Sequence, residues 1–192
     1  MGAAVAKKNR RHNGLLTSAE YMALPDDGNR YELLHGELVM SPSAFFGHGA
    51  VTTYVVGKLG EFVRSKKLGA VTVETDIVLG KHFVLRPDIC FVSKRQTDII
   101  RGHIYGAPDL AVEITSPSNW QMDVFAKMHE YERFGIREYW VLDIVDERYK
   151  AYQWCLRGKR YQGGLVQGHE IKSRVLKGFK LMLEEVWESA SW

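Results

Sequence analysis

The chain has 192 residues, 45% of them hydrophobic and 26% charged, proportions of a soluble globular protein that exclude disorder along its whole length. Its two cysteines, Cys90 and Cys155, are too few for a disulfide framework or a thiolate zinc site, and they point to a reducing, cytoplasmic setting. No apolar run reaches the ~18–20 residues of a membrane span, and a net charge of +3 permits an anionic partner such as nucleic acid without demanding one.

Met1 to Gly14 opens with a short alanine-rich run, followed by Lys7, Lys8, Arg10 and Arg11. Charge after the apolar stretch is the reverse of a signal peptide, so 1–14 reads as a flexible basic tail and 15–192 as one domain. Thr17 and Glu20 have the spacing of a capping box and predict a helix start, ended by the turn Pro25-Asp26-Asp27-Gly28. Tyr31–Leu34 and Glu37–Met40 flank His35-Gly36, a hairpin pattern. Phe46 to Lys67 carries an apolar stripe at Val51, Val55, Leu59 and Phe62 and predicts the first long helix. His48 extends that stripe by one turn, so it faces inward, either as a satisfied core histidine or as a site residue.

Two strands rich in β-branched residues, Ala70–Leu79 and Phe83–Val92, follow around Gly80-Lys81-His82, and Leu110–Thr115 is a short buried strand. A second long helix is expected from Asn119 to about Phe134, closed by Gly135. Glu138–Asp143 and Arg148–Cys155 are the next strands, Tyr161 to Lys172 an edge hairpin, and Val186-Trp187 a packing clip. The order predicts an α/β domain: a central mixed β-sheet flanked by helices, with an N-terminal helix and β-hairpin.

Two acids interrupt apolar strands. Asp88 stands at the head of Ile89-Cys90-Phe91-Val92, directly after Pro87. Glu113 sits within Leu110-Ala111-Val112-Glu113-Ile114 and, by strand alternation, points with Ala111 and Thr115. A buried carboxylate costs several kcal/mol unless it is paired or bound to a metal. Brought together, the two make a hard-oxygen pair suited to Mg²⁺ or Mn²⁺; alternatively, each pairs with a core Arg or Lys. Asp123, Lys127 and Glu130 share one helix face, Lys127 being either a surface partner of Asp123 or a reach back to the sheet. Glu74, on the strand before Asp88, is a further candidate acid, and Glu32 and Glu37 both lie in the hairpin. Lys94, Arg95 and Arg101 lie between the acid strands, where they can touch phosphates or simply be solvated. The aromatic residues are more simply core than base readers.

Pro87-Asp88, then Pro108 to Ile114 with Ser116-Pro117-Ser118, then Lys127, Gly135 and Glu138-Tyr139-Trp140-Val141-Leu142-Asp143, together resemble the Uma-type family, described as putative restriction endonucleases, a branch of the PD-(D/E)xK nuclease superfamily. Tyr31-Glu32-Leu33, Gly36-Glu37-Leu38, Ser41-Pro42 and His48 match it too, and the resemblance covers roughly Leu15 to Trp187. It implies a restriction-endonuclease-like fold in which Asp88, Glu113 and the Ile114 backbone carbonyl hold Mg²⁺ or Mn²⁺. It also implies hydrolysis of DNA phosphodiester bonds, with Glu32 rather than Glu37 as an extra acid from an early element; His48 and, by its place on the strand before Asp88, Glu74 are the other candidate supporting residues. The superfamily's lysine normally falls two residues after the second acid, which here is Thr115; the resemblance implies that Lys127 takes its place. The rival reading, which Thr115 favours, is a catalytically degenerate nuclease-fold module that binds nucleic acid or a protein partner. A homodimer would suit double-strand cleavage. On charge crowding alone, removing either acid is expected to stabilise the fold slightly.

Overall fold

The computed structural model describes residues 14–41, 44–115, 126–144 and 149–191. The basic tail up to residue 13, and the first part of the expected second long helix with Trp120 and Asp123, lie outside the described residues. The first helix, α1 (Ser18–Met22), begins at the capping box read from sequence: Glu20 N–H donates to Thr17 Oγ1, and the Glu20 carboxylate accepts from Thr17 N–H at 2.8 Å. β1 (Arg30–Leu34) and β2 (Glu37–Ser41) form the expected hairpin. Its two turn residues, His35 and Gly36, have φ of 53° and 82°, the pair of positive values that matches strand twist in a tight hairpin. α2 (Phe46–Ser65) buries Val51, Val55, Leu59 and Val63, with Phe62 partly buried beside them.

The two long strands expected next are each broken in two. β3 (Gly69–Val73) and β4 (Ile77–Gly80) are separated at Glu74, which adopts φ 46°; β5 (Phe83–Leu85) and β6 (Ile89–Ser93) are separated at Arg86-Pro87-Asp88. The halves enter different sheets: β3 pairs with β6, while β4 pairs with β5. Proline has no N–H for a ladder, so the chain changes sheets where pairing must lapse. A 3₁₀ segment (Lys94–Ile99) leads into β7 (Ile100–Arg101) and β8 (His103–Tyr105), then β9 (Leu110–Ile114). After the undescribed stretch, α3 (Met128–Phe134) ends at Gly135 in the left-handed conformation, φ 85°.

β10 (Glu138–Asp143) runs parallel to β9, and β11 (Lys150–Arg157) and β12 (Arg160–Leu165) extend the sheet outward. The predicted edge hairpin over Tyr161–Lys172 does not form. β12 closes on β11 instead, and β13 (Glu170–Lys172) pairs with β14 (Lys180–Met182). α4 (Leu183–Ala190) contains the expected clip, with Val186 fully buried in the cluster formed with α2.

One sheet thus has the order β2-β1-β5-β4-β8-β7 and the other β12-β11-β10-β9-β6-β3. The second sheet has an apolar layer on each face. Leu110, Val112, Ile114, Trp140 and Leu142 pack with α2 and α4. Ala111, Tyr139 and Val141 pack with Tyr131 of α3 and with Ile77 and Leu85 of the first sheet. Alternation along β9 therefore sends Glu113 into the space between α3 and the two sheets. Among the described residues, no helix is long and apolar enough to cross a membrane.

Candidate active site

The seam between the sheets brings the two interrupting acids together. β6 and β9 are antiparallel, with Ile89 opposite Val112. Continued by one and two residues, that register sets Asp88 across from Glu113 and Pro87 across from Ile114. Pro87 has no N–H to give the Ile114 carbonyl, and the Ile114 N–H donates instead to Asp88 Oδ2 at 2.6 Å. Asp88 is thereby tied to the backbone beside Glu113. Its other oxygen, Oδ1, lies 3.1 Å from His48 Nε2 on the first turn of α2. The inward-facing reading of His48 holds.

Lys127 reaches the same place from the opposite side. It caps the start of α3 and lies within a wider π-type turn at residues 126–127. Its ammonium lies 3.1 Å from Glu113 Oε1 and 3.1 Å from Glu32 Oε1, and its side chain is only 6% exposed. The surface-pair reading of Lys127 does not survive that burial. Glu32 also accepts from the Arg86 N–H at 2.6 Å, where the chain passes between sheets. Two carboxylates carried by different sheets therefore share one cation from a helix.

One further group belongs here that the sequence reading passed over. Tyr131, one helical turn beyond Lys127, donates its phenol to Glu113 Oε1 at 2.6 Å. The available signal was the i, i+4 spacing from Lys127, which places both side chains on one face. Burial, and then the charges of Glu113 and Glu32, push the Tyr131 phenol well above its ordinary value, so it remains a donor. Burial, reinforced by Glu113, likewise pushes the Cys90 thiol up to about 12. Asp88 is the more exposed of the two acids, its side chain 17% exposed against 3% for Glu113.

Other candidates go elsewhere. Glu74 donates its backbone N–H to the Asp88 carbonyl, but its carboxylate turns to Arg30 in an exposed ion pair at 2.5 Å; the structure does not bring it to the acids. Thr115 is fully buried and donates to Asp143 Oδ1 at 2.8 Å. Glu138, from the motif Glu138-Tyr139-Trp140, accepts from Trp140 Nε1, Gln153 Nε2, Ser173 Oγ and the N–H groups of Arg174 and Val175, a role in holding the sheet to the segment after β13. Glu130 pairs with His35 and Arg133. Among the described residues, no three His, Cys, Asp or Glu side chains converge as a ready metal cage.

The family model of Uma2, described as a putative restriction endonuclease, matches residues 18–184. The chain belongs to the Uma2 family. No curated protein matches it. Among solved structures it is similar to the crystal structure of a putative nuclease belonging to DUF820 from Anabaena variabilis ATCC 29413. The two share 16% identity over 92% of this chain and 99% of that one, with a TM-score of 0.79. That likeness is one of fold: the mixed α/β architecture is that of a nuclease-fold protein. The Uma2 match spans the whole constellation, from Glu32 to Tyr131.

Proposed function

We propose that this Uma2 chain is a divalent-metal-dependent endonuclease that hydrolyses phosphodiester bonds of DNA at Asp88, Glu113 and Lys127. The observation that carries this reading is the buried lysine on Glu113. Lys127 supplies, from a helix, the cation that the superfamily pattern would otherwise place at Thr115, and it ends 3.1 Å from the second acid.

The donor set fits Mg²⁺ or Mn²⁺. Asp88, Glu113 and the Ile114 carbonyl are all hard oxygen ligands, and the carbonyl lies where Pro87 gives it no ladder donor. Mg²⁺ is usually held by one or two carboxylates and keeps waters and phosphate oxygens for the rest of its shell, so a cage of three side chains is not required. When bound, such a cation supplies Lewis-acid polarisation of the phosphate and a more acidic water. The protein's own residues do the rest. Asp88 is fixed by the Ile114 N–H and His48, and Glu113 by Lys127 and Tyr131. Lys127 is placed to orient the attacking water or to stabilise charge developing on a phosphate oxygen. Glu32, 3.1 Å from the ammonium, holds the lysine at the site.

A second reading is favoured by one observation: both Asp88 oxygens are already engaged, by Ile114 and by His48. A site closed in this way would be a degenerate module that binds nucleic acid without cutting it. Calorimetry with Mn²⁺ on the wild type and on Asp88→Ala/Glu113→Ala, with plasmid nicking on the same samples, separates the two. The endonuclease predicts binding and nicking that both vanish in the double variant and persist in Glu74→Ala. Nucleic-acid binding that is indifferent to Mn²⁺ and never accompanied by nicking would establish the module instead.

A further inference from the structure

We infer that Tyr131 is a positioning residue of this site, its phenol fixing the Glu113 carboxylate in the orientation that receives a divalent cation. The inference rests on the reading of Asp88 and Glu113 as cation ligands. It starts from an asymmetry between the two donors that meet at Glu113 Oε1. The Lys127 ammonium arrives on a long flexible chain and is shared with Glu32, at 3.1 Å from each acid. The Tyr131 hydroxyl arrives on a rigid ring with no exposed surface, at 2.6 Å. That ring stands edge-on to Tyr139 at 5.0 Å, and Tyr139 in turn stacks on Trp154 at 5.5 Å. Its place is therefore set by the aromatic layer between α3 and the sheet.

The chemistry of the two donors differs as well. An ammonium on a carboxylate cancels the charge that a metal needs. A neutral phenol holds the oxygen in place and leaves that charge intact. The ammonium divides its three donors among several acceptors, Glu32 and Glu113 among them. The phenol has a single donor, and it is directed at Glu113 Oε1. Hydrogen bonds of this outer kind orient ligating carboxylates, and losing one typically costs metal affinity or activity.

The test is Tyr131→Phe, which removes one oxygen and keeps the ring packed on Tyr139. Tyr161→Phe is the control, because its partly buried ring belongs to the same aromatic layer but its phenol donates to the Ile136 carbonyl at 2.9 Å, away from the acids. Each purified variant is first melted to show that it folds, then titrated with Mn²⁺ by calorimetry and examined by electron paramagnetic resonance. The expected result is a Kd for Mn²⁺ raised roughly 10–100-fold in Tyr131→Phe, with an altered bound-Mn²⁺ spectrum, and both unchanged in Tyr161→Phe. In a Glu113→Gln background the Tyr131→Phe change should have no further effect on Mn²⁺ binding. Mn²⁺ binding within two-fold of wild type in Tyr131→Phe overturns the inference while leaving the metal site standing. A wild type that binds no Mn²⁺ overturns the metal reading and the inference with it.

Discussion

Replacing Lys127 with methionine tests the arrangement most directly, because the side chain keeps its length and loses its charge. The ammonium is 3.1 Å from an oxygen of Glu32 and 3.1 Å from one of Glu113, in a setting where all three side chains are at most 7% exposed. At an effective dielectric of about 20, each contact is worth about 5 kcal/mol of Coulomb attraction, opposed by the cost of taking the ammonium out of water. Removing the shared cation leaves two carboxylates facing each other, which places the loss near the 3–5 kcal/mol typical of a broken buried pair, about 3 kcal/mol here. The lower end applies because Glu32 keeps the Arg86 N–H and Glu113 keeps the Tyr131 phenol. Urea unfolding at pH 8 should therefore show Lys127→Met about 3 kcal/mol less stable than wild type, a large share of the total for a domain this size. Mg²⁺ should recover part of that deficit at pH 8. A deficit below about 1 kcal/mol at pH 8 would refute the picture of a lysine bridging the two sheets.

Two further predictions address the surroundings of the site. Glu138→Ala leaves Trp140 Nε1, Gln153 Nε2, Ser173 Oγ and two backbone N–H groups without their shared acceptor. At about 1–3 kcal/mol for each buried group left unsatisfied, urea unfolding should show a loss above about 3 kcal/mol, while Mn²⁺ affinity of the folded fraction stays at the wild-type value; a change in affinity would move Glu138 into the site. Cys90 governs an alkaline limit: its thiol is pushed up to about 12 in the fold from an ordinary 9.0. Above pH 9 the unfolded chain releases a proton that the folded chain retains, so stability falls as pH rises, by about 1.4 kcal/mol per pH unit for this group. Cys90→Ala should flatten that slope by about this amount between pH 10 and 11, where the unfolded thiol is largely ionised and the folded one is not; an unchanged slope in denaturant titrations would refute the assignment.

What could be read from the chain was what short-range periodicity records. The Thr17 cap, the His35-Gly36 turn, the α2 stripe and the side of β9 on which Glu113 sits all depend on residues a few positions apart. The exchange between sheets at Glu74 and Pro87 was not legible in the same way. Residues 70–79 and 83–92 read as unbroken β-branched runs, and only the membership of each half in a different sheet, a long-range matter, divides them. That exchange carries Arg86 past Glu32 and leaves Asp88 opposite Glu113. Tyr131 escaped notice because a tyrosine on the inner face of a helix is ordinarily core, and nothing local says that its hydroxyl meets a carboxylate. The expectation that removing an acid would relieve crowding also changes. Glu113 is compensated by Lys127 and Tyr131, so Glu113→Ala orphans a buried phenol and takes a carboxylate from the ammonium, which costs stability.

The position of the lysine has a consequence for how the site assembles. A lysine at 115 would lie along β9 beside Asp143, where Thr115 already fills the space, fully buried and bonded to both Asp143 and Leu142. It would belong to the same sheet as Glu113 and would be present whether or not anything packed above it. Lys127 instead comes from α3, and it touches Glu113 on one sheet and Glu32 on the other. The charge balance of the acids is thus completed only when α3 docks across the seam, and docking the helix is favoured in turn by the acids it neutralises. A lysine at 127 thus ties three elements together, where one at 115 would be a feature of one sheet alone. Exchanging the two positions, as Thr115→Lys with Lys127→Thr, would therefore put a lysine two residues after Glu113 and still not rebuild this arrangement, because Glu32 and α3 would have lost the cation that holds them to Glu113.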